Sequence, residues 1–128
     1  MNTVNLYGRV CQDLELTKGK GKDAWRFVRF NVAVADGKDD DGEKRTQFIP
    51  CIAWNTTAQT LIDYVQKGDR IALRGRLNIQ KYDASDDPSD DHDPDWRTSV
   101  QVVVETFDFV ESASDKDEKP VSNPKRKR

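Results

Sequence analysis

The chain has 128 residues, which is enough for one small domain, and its composition excludes several classes of protein. Hydrophobic residues make up 35% and charged residues 34% of the chain, which is typical of a soluble globular domain with solvated loops. No apolar run approaches the length of a membrane span, and the first residues lack the pattern of a signal peptide. We therefore expect a cytoplasmic protein without a membrane partner.

The net charge of −2 conceals a basic body. Two segments, residues 36–43 and residues 83–95, hold twelve of the 23 acidic residues but only one of the 21 lysines and arginines. The remainder of the chain therefore carries a net charge of +9. Such a charge permits phosphate binding, although charge alone does not establish it.

The cysteines and the single histidine do not indicate catalysis. Cys11 and Cys51 lack metal-ligand spacing, and we expect two free thiols in a reducing compartment, with a disulfide as the alternative. His92 lies among aspartates in a solvated loop that does not fix ligand geometry, so we predict no metal site. Nucleophile motifs and phosphate-binding loops are missing from the sequence, and we expect neither a cofactor nor an enzymatic activity.

Short segments of alternating polarity, rich in β-branched residues, predict an all-β protein. Breaks rich in glycine, aspartate and lysine separate these segments. Five strands are predicted, over residues 3–10, 25–35, 45–54, 71–81 and 97–109. Pro50 in the third strand indicates an edge or a bulge, because proline cannot donate a ladder hydrogen bond.

One helix follows the third strand, with Thr56 or Thr57 as its N-cap and Gly68 at its end. Its predicted buried face consists of Ala58, Leu61, Ile62 and Val65. Three strands, a helix and two strands fit a five-stranded OB-fold barrel. We predict this barrel over residues 1–110, and a disordered tail with a basic end, Lys125–Arg128, over residues 111–128.

Strand parity places a tyrosine in an arginine-bearing row on the fourth strand, because side chains two residues apart share one face. The predicted core positions are Ile71, Leu73, Gly75, Leu77 and Ile79. The opposite parity carries Arg74, Arg76 and, if the strand continues that far, Tyr82. An aromatic ring beside cations is what a nucleobase and its phosphate require. The alternative is that Tyr82 only covers the end of the barrel.

The second and third strands also place aromatic rings on their predicted outer faces. The core positions are predicted to be Val28, Phe30, Val32 and Val34 on the second strand and Ile49, Cys51 and Ala53 on the third. Phe48 and Trp54 then face outward, and Phe27 and Arg29 become candidate DNA contacts, as does Arg97 beside the acidic loop. An oligomer interface that buries these outer faces is the alternative.

Several short motifs run in order along residues 1–110. They are Asn2-x-Val4-x-Leu6-x-Gly8-Arg9-Val10-x-x-Asp13-x-Glu15-Leu16, Phe30-x-Val32-Ala33-Val34, Thr46-x-Phe48, Ala53-Trp54-x-x-x-Ala58, Lys67-Gly68-Asp69-Arg70-Ile71, Gly75-Arg76-Leu77, Lys81-Tyr82 and Val102-Val103-Val104-x-x-Phe107-x-Phe109. No single motif is specific, but the ordered set resembles the bacterial-type single-stranded-DNA-binding protein family.

The resemblance implies an OB-fold protein that coats single-stranded DNA without sequence preference in replication, recombination and repair. It also implies a homo-oligomer, which is usually a tetramer in bacteria, with a dimer as the alternative. Phe48, Trp54 and Tyr82 match the base-stacking aromatics of the family, and Lys81 matches a basic DNA-contacting position. Arg9, in the first motif, is a further candidate contact.

The end of the chain departs from the family pattern. Bacterial members typically close on an acidic tip ending in Pro-Phe, whereas this chain closes on Lys125–Arg128. We therefore do not expect recruitment of host partners through such a tip, and a phage- or plasmid-encoded member is compatible with this end. The competing hypothesis is an OB-fold interaction module that binds protein or structured RNA.

Overall fold

The computed structural model describes residues 1–21, 24–85 and 93–113, so the predictions for His92 and for Lys125–Arg128 lie outside the described residues. Its elements are β1 (Val4–Val10), β2 (Thr17–Lys18), β3 (Arg26–Lys38), β4 (Lys44–Trp54), α1 (Asn55–Tyr64), β5 (Arg70–Asp83) and β6 (Trp96–Glu111). In this part of the chain no helix has the length and apolar character needed to cross a membrane.

The strands form one sheet that closes into a barrel. The order is β1-β5-β6-β4-β3, and the barrel closes where β1 pairs with β3 through Arg9↔Ala33 and Val10↔Val32. The contact between β4 and β6 is parallel, and the other pairings are antiparallel. The predicted five-stranded OB-fold with one helix before the fourth long strand is confirmed. The additional β2 has two residues, too few for a polarity pattern to reveal it.

The core lies where parity predicted it in β3, β4 and the helix. The buried residues of these elements include Val28, Phe30, Val32, Cys51, Ala53, Ala58 and Leu61. Val34, Ile49 and Ile62 are partly buried against this core. Because apolar burial is the main favourable contribution to folding, these positions fix which face of each strand points inward.

The prediction that Leu77 and Ile79 face the core is wrong. Both are exposed, because β5 and β6 leave the barrel beyond this point as a two-stranded ribbon. We call this ribbon the β-arm and define it as residues 77–83 of β5 paired with residues 96–102 of β6. Asn2 stands at its base, where its side-chain amide both donates to and accepts from the backbone of Leu77, each at 2.9 Å.

Two glycines allow strands to approach closely at the joints of the barrel. A Cβ added at Gly8 would collide with the carbonyl oxygen of Ala33, where β1 turns toward β3. A Cβ at Gly75 would collide with the carbonyl oxygen of Val103, beside the register shift between β5 and β6. A larger residue at either position would push the paired backbones apart.

The helix begins and ends earlier than its sequence signals predict. Trp54 occupies the N-cap without a side-chain hydrogen bond, so neither Thr56 nor Thr57 caps the helix. Asn55, at a φ of 52°, turns the chain directly from β4 into α1, a backbone conformation that asparagine tolerates well. The helix ends at Tyr64, before the turn that contains Gly68.

The described structure continues past residue 110. Strand β6 ends at Glu111, and Ser112 is buried. The buried carboxylate of Asp69 accepts hydrogen bonds from the backbone N–H groups of Ala113 (3.1 Å) and Gln66 (2.8 Å). One side chain therefore fastens the end of β6 to the turn between α1 and β5.

We expect Asp69→Ala to lower the free energy of unfolding by about 1–3 kcal/mol, because both N–H groups lose their acceptor. Denaturant titration measures the loss. Asp13→Ala, which removes an exposed aspartate, is the control and should change stability little. Equal stabilities for the two variants would contradict this role of Asp69.

Both cysteines are free thiols, as predicted from their spacing. The pKa of Cys51 is raised to about 12, mainly by burial and in smaller part by its electrostatic interaction with Cys11. Burial also raises the pKa of Cys11. The Cys51 thiol is thus held in its neutral form inside the barrel.

We expect Cys51→Ala to lose less stability at alkaline pH than the parent chain. The unfolded thiol ionises near its ordinary pKa of 9.0 and the folded thiol only near 12, so the free energy of unfolding falls as the pH rises through this range. Denaturant titrations at about pH 8 and about pH 10.5 test this difference. Identical pH dependence in both proteins would contradict it.

Candidate nucleic-acid interface

The aromatic and basic candidates concentrate on the outer surface formed by β3, β4, β6 and β5, which we call the outer face. Residues directly opposite each other on neighbouring strands project to the same side of a sheet. The central row of the outer face follows the register through Arg29, Ile52, Val103 and Arg76. This row joins β3 to β5 across the whole surface.

Ile52 belongs to the outward parity of β4 but is only 1% exposed. It pairs with Val103, which is also buried, and Arg29 and Arg76 flank the pair on the two neighbouring strands. The aliphatic parts of long arginine side chains readily cover apolar surface in this way while the guanidinium stays in water. The middle of the outer face is therefore a buried apolar floor, formed by Ile52 and Val103, between two exposed cations.

An aromatic cluster occupies one end of the outer face. Phe27 lies opposite Trp54, with ring centroids 5.1 Å apart. The ring of Trp25 stacks on Phe27 at 5.6 Å and meets Trp54 edge-on at 6.3 Å. The guanidinium of Arg29 lies 5.1 Å from the centre of the Phe27 ring. This end thus combines rings with a cation held over one of them.

The corner between β4 and α1 sets the position of Trp54. The side-chain oxygen of Asn55 accepts a hydrogen bond from the backbone N–H of Arg26 (3.2 Å), and its carbonyl oxygen accepts one from the Arg26 guanidinium (3.3 Å). These bonds connect the start of the helix to the start of β3. They hold Trp54 next to the ring of Phe27.

Two further candidate rings lie farther along the same surface. Phe48 is 66% exposed and stands opposite Ala33 on β3. Tyr82 is 48% exposed on the β-arm, opposite Arg97, because β5 continues to Asp83. Parity correctly predicted that both rings face away from the barrel interior. Their contact with DNA stays a prediction.

Lys81 lies on the other side of the β-arm from Tyr82, since adjacent residues of a strand alternate. Near the tip of the arm, Lys81 and Arg97 line a groove of about 460 Å³ together with Trp96 and Thr98. Both faces of the arm therefore carry a basic residue. A strand that follows the arm could contact either of them.

Two of the candidate arginines already contact carboxylates. Arg76 lies 3.9 Å from Glu105, and Arg97 lies 3.2 Å from Asp95. Exposed ion pairs of this kind contribute little to stability and exchange readily for other anions. Arg74, on the same parity of β5, is exposed.

Arg9 stands apart from the other candidates. Its backbone pairs with Ala33, but its guanidinium donates a hydrogen bond to the carbonyl oxygen of Gly68 at 2.7 Å. It lines a groove on β1 with Arg70, whose pKa is raised by a hydrogen bond with Tyr7. The structure does not bring the Arg9 guanidinium to the aromatic cluster.

The acidic segment of residues 36–43 forms the hairpin between β3 and β4 and is internally bonded. Asp36 accepts a hydrogen bond from Gln47 (2.9 Å) and pairs with Arg45 (3.4 Å). One carboxylate oxygen of Asp39 accepts the backbone N–H groups of Asp41 and Glu43. Across residues 1–21, 24–85 and 93–113, no group of three or more acidic, cysteine or histidine side chains could hold a metal ion.

Trp25 is the residue of this surface that sequence reasoning missed as a candidate. Trp25 is two residues before Phe27 and four before Arg29, so it shares their parity. This parity was the signal in the sequence that could have identified it. It precedes β3, however, and a strand pattern does not fix the direction of a side chain outside the strand. The hairpin formed by β2 and β3 decides its position.

Comparison with known proteins shows the family of the chain. The model of the Single-strand binding protein family matches residues 1–110. A single-stranded DNA-binding protein of Clostridium perfringens is 35% identical over 89% of this chain and 69% of its own length. A single-stranded DNA-binding protein of Fusobacterium nucleatum is 37% identical over 88% of this chain and 68% of its own length. One from Onion yellows phytoplasma is 30% identical over 88% of this chain and 96% of its own length. The chain belongs to the single-strand binding protein family.

Proposed function

We propose that this protein binds and coats single-stranded DNA without sequence preference in DNA replication, recombination and repair. The observation that carries the proposal is the outer face, on which exposed aromatic rings and arginines lie on the same side of the sheet. Family membership supports it, because the relatives named above are single-stranded DNA-binding proteins.

Base stacking on aromatic rings supplies the first part of the binding energy. Unpaired bases expose planar apolar faces, and stacking on a protein ring contributes roughly 1–3 kcal/mol per base. Trp54, Phe48 and Tyr82 are each exposed enough to present a ring to a base. Every base has such a face, so a surface of this kind does not select a sequence.

Phosphate neutralisation supplies the second part. Arg29 and Arg76 border the apolar floor of the outer face, and Arg74, Lys81 and Arg97 extend the positive charge along β5 and the β-arm. Phosphates replace carboxylates such as Glu105 as the partners of these cations. Because counterions leave the DNA at the same time, affinity falls as the salt concentration rises.

Preferential binding to the unpaired form accounts for the biological effect. A ligand that binds one of two states shifts the equilibrium toward that state by mass action. The protein thereby keeps strands open and removes hairpins without catalysing a reaction. Duplex DNA keeps its base faces stacked inside the helix, so the rings have nothing to bind there.

We further propose a cytoplasmic homo-oligomer, a tetramer with the dimer as the alternative. Leu77, Ile79 and Val100 are exposed apolar residues on one side of the β-arm, and the pairing of Val4–Arg9 on β1 to β5 leaves most of its other edge open. Exposed apolar residues and open strand edges both favour association. The free thiols suit a reducing compartment. Native mass measurement determines the number of subunits.

We expect Trp54→Ala to weaken binding to oligo-dT by about 5- to 150-fold, because one stacking ring is lost. Trp54→Phe, which retains a smaller ring, should lose less. Fluorescence anisotropy of a labelled oligonucleotide measures both affinities. Tyr64→Ala, which removes an exposed ring from the helix, serves as the control. Unchanged affinity in a folded Trp54→Ala protein would refute the stacking role.

We expect Arg76→Gln to weaken binding and to flatten its salt dependence, lowering the slope of log affinity against log salt by about 0.7. Arg45→Gln is a matched control, since both side chains are about half exposed and both pair with a carboxylate. Arg45, however, pairs with Asp36 of the acidic hairpin, so Arg45→Gln should leave the slope unchanged. Equal slopes for Arg76→Gln and the parent would remove Arg76 from the phosphate contacts.

Competition decides between this proposal and an OB-fold module for structured RNA or protein. Unlabelled oligo-dT should displace the labelled oligonucleotide at far lower concentration than duplex DNA or folded RNA. A preference for folded RNA, or failure to bind oligo-dT at all, would overturn the proposed function.

A further inference from the structure

We infer that Trp25 is an additional nucleobase-stacking position of the outer face. The inference rests on the proposed function and extends it to the hairpin formed by β2 and β3. It assigns to this hairpin a second base beside the one on Trp54.

The exposure of Trp25 is the first observation that supports this role. The indole is 51% exposed, more than that of Trp54 at 41%. It contacts Phe27 and Trp54 and does not belong to the hydrophobic core of the barrel. A tryptophan that served only to fill space would be buried, whereas this one presents a large apolar surface to solvent.

The second observation is that the indole is held in place without DNA. The backbone N–H of Gly19 donates to the carbonyl oxygen of Trp25 at 2.8 Å, which closes the hairpin. Gly19 also lies against the ring, since an added Cβ would come within 2.7 Å of its Cε2 atom. The ring also stacks on Phe27. A side chain ordered in advance loses little conformational entropy on binding.

The third observation is the charge around the cluster. Arg29 lies over Phe27, the ring on which Trp25 stacks. Lys18 and Lys20 are exposed in the same hairpin, on either side of Gly19. A nucleotide stacked on Trp25 would therefore have cations within reach of its phosphate.

The geometry also predicts the path of the strand. The planes of Trp25 and Trp54 are inclined by 70°. Bases stacked parallel to these two rings would be inclined to each other by about the same angle. The strand would therefore bend between these two nucleotides.

Tryptophan fluorescence tests the inference directly. In the variant Trp54→Phe/Trp96→Phe, Trp25 is the single remaining tryptophan, and position 54 keeps a ring. Titration with oligo-dT should quench Trp25 emission as the complex forms, because a stacked base quenches an indole. An abasic deoxyribose-phosphate chain of equal length is the control, since it offers the phosphates without the bases and should not quench.

The outcomes separate this inference from the proposed function. If the variant binds oligo-dT, as measured by anisotropy, but its Trp25 emission stays constant, or falls equally with the abasic chain, the inference is overturned and the proposed function stands. If the parent protein does not bind oligo-dT, both are overturned.

Affinity gives an independent test. We expect Trp25→Ala to weaken oligo-dT binding by about 5- to 150-fold, and Gly19→Ala, which displaces the indole, to weaken it less. Tyr64→Ala should bind as the parent does. If Trp25→Ala does not fold, the fluorescence experiment, which keeps Trp25 in place, still decides. Parent-like affinity in folded Trp25→Ala would overturn the inference.

Discussion

The pairing of β1 with β3 closes the barrel, and the rest of the structure depends on this closure. The pairing requires that the two backbones approach each other closely. Gly8 makes this approach sterically feasible, since a side chain there would meet the carbonyl of Ala33. Once the barrel is closed, each strand has an inside and an outside, and its alternate residues must go to one or the other. Trp54, for example, faces outward because Ala53, its neighbour in sequence, is buried.

The rings do not only point outward but are also fixed relative to one another. Asn55 ties the corner after Trp54 to the start of β3, and the β2–β3 hairpin holds Trp25 beside Phe27. The Asn55 tie consists of hydrogen bonds between side chain and backbone, and the hairpin is held by backbone pairing. Both act at strand ends, where the ladder itself would leave freedom. A binding surface built in this way is ordered before its ligand arrives, which reduces the entropy lost on binding.

The sequence predicted the barrel, the helix and the faces of β3 and β4 because alternation within a strand is a local property. Val28, Phe30 and Val32 alternate with Phe27, Arg29 and Asn31, and burial followed that alternation. The same rule failed for Ile79, which has core parity but lies on the β-arm, where no second layer covers it. It also failed for Ile52, which has outward parity but lies between Val103 and Arg29.

By itself the sequence determined which residues could be rings, cations and core, and, through parity, that Phe48, Trp54 and Tyr82 would turn away from the interior. Tertiary structure alone decided which of them stand together. The cluster of Trp25, Phe27 and Trp54 joins residues separated by nearly thirty positions, and Arg9 is drawn to Gly68 rather than to that cluster. The alternation of polar and apolar residues is a property of one strand. Which residues of different strands become neighbours depends on register, hairpin geometry and barrel closure, and these arise only when the whole sheet has formed.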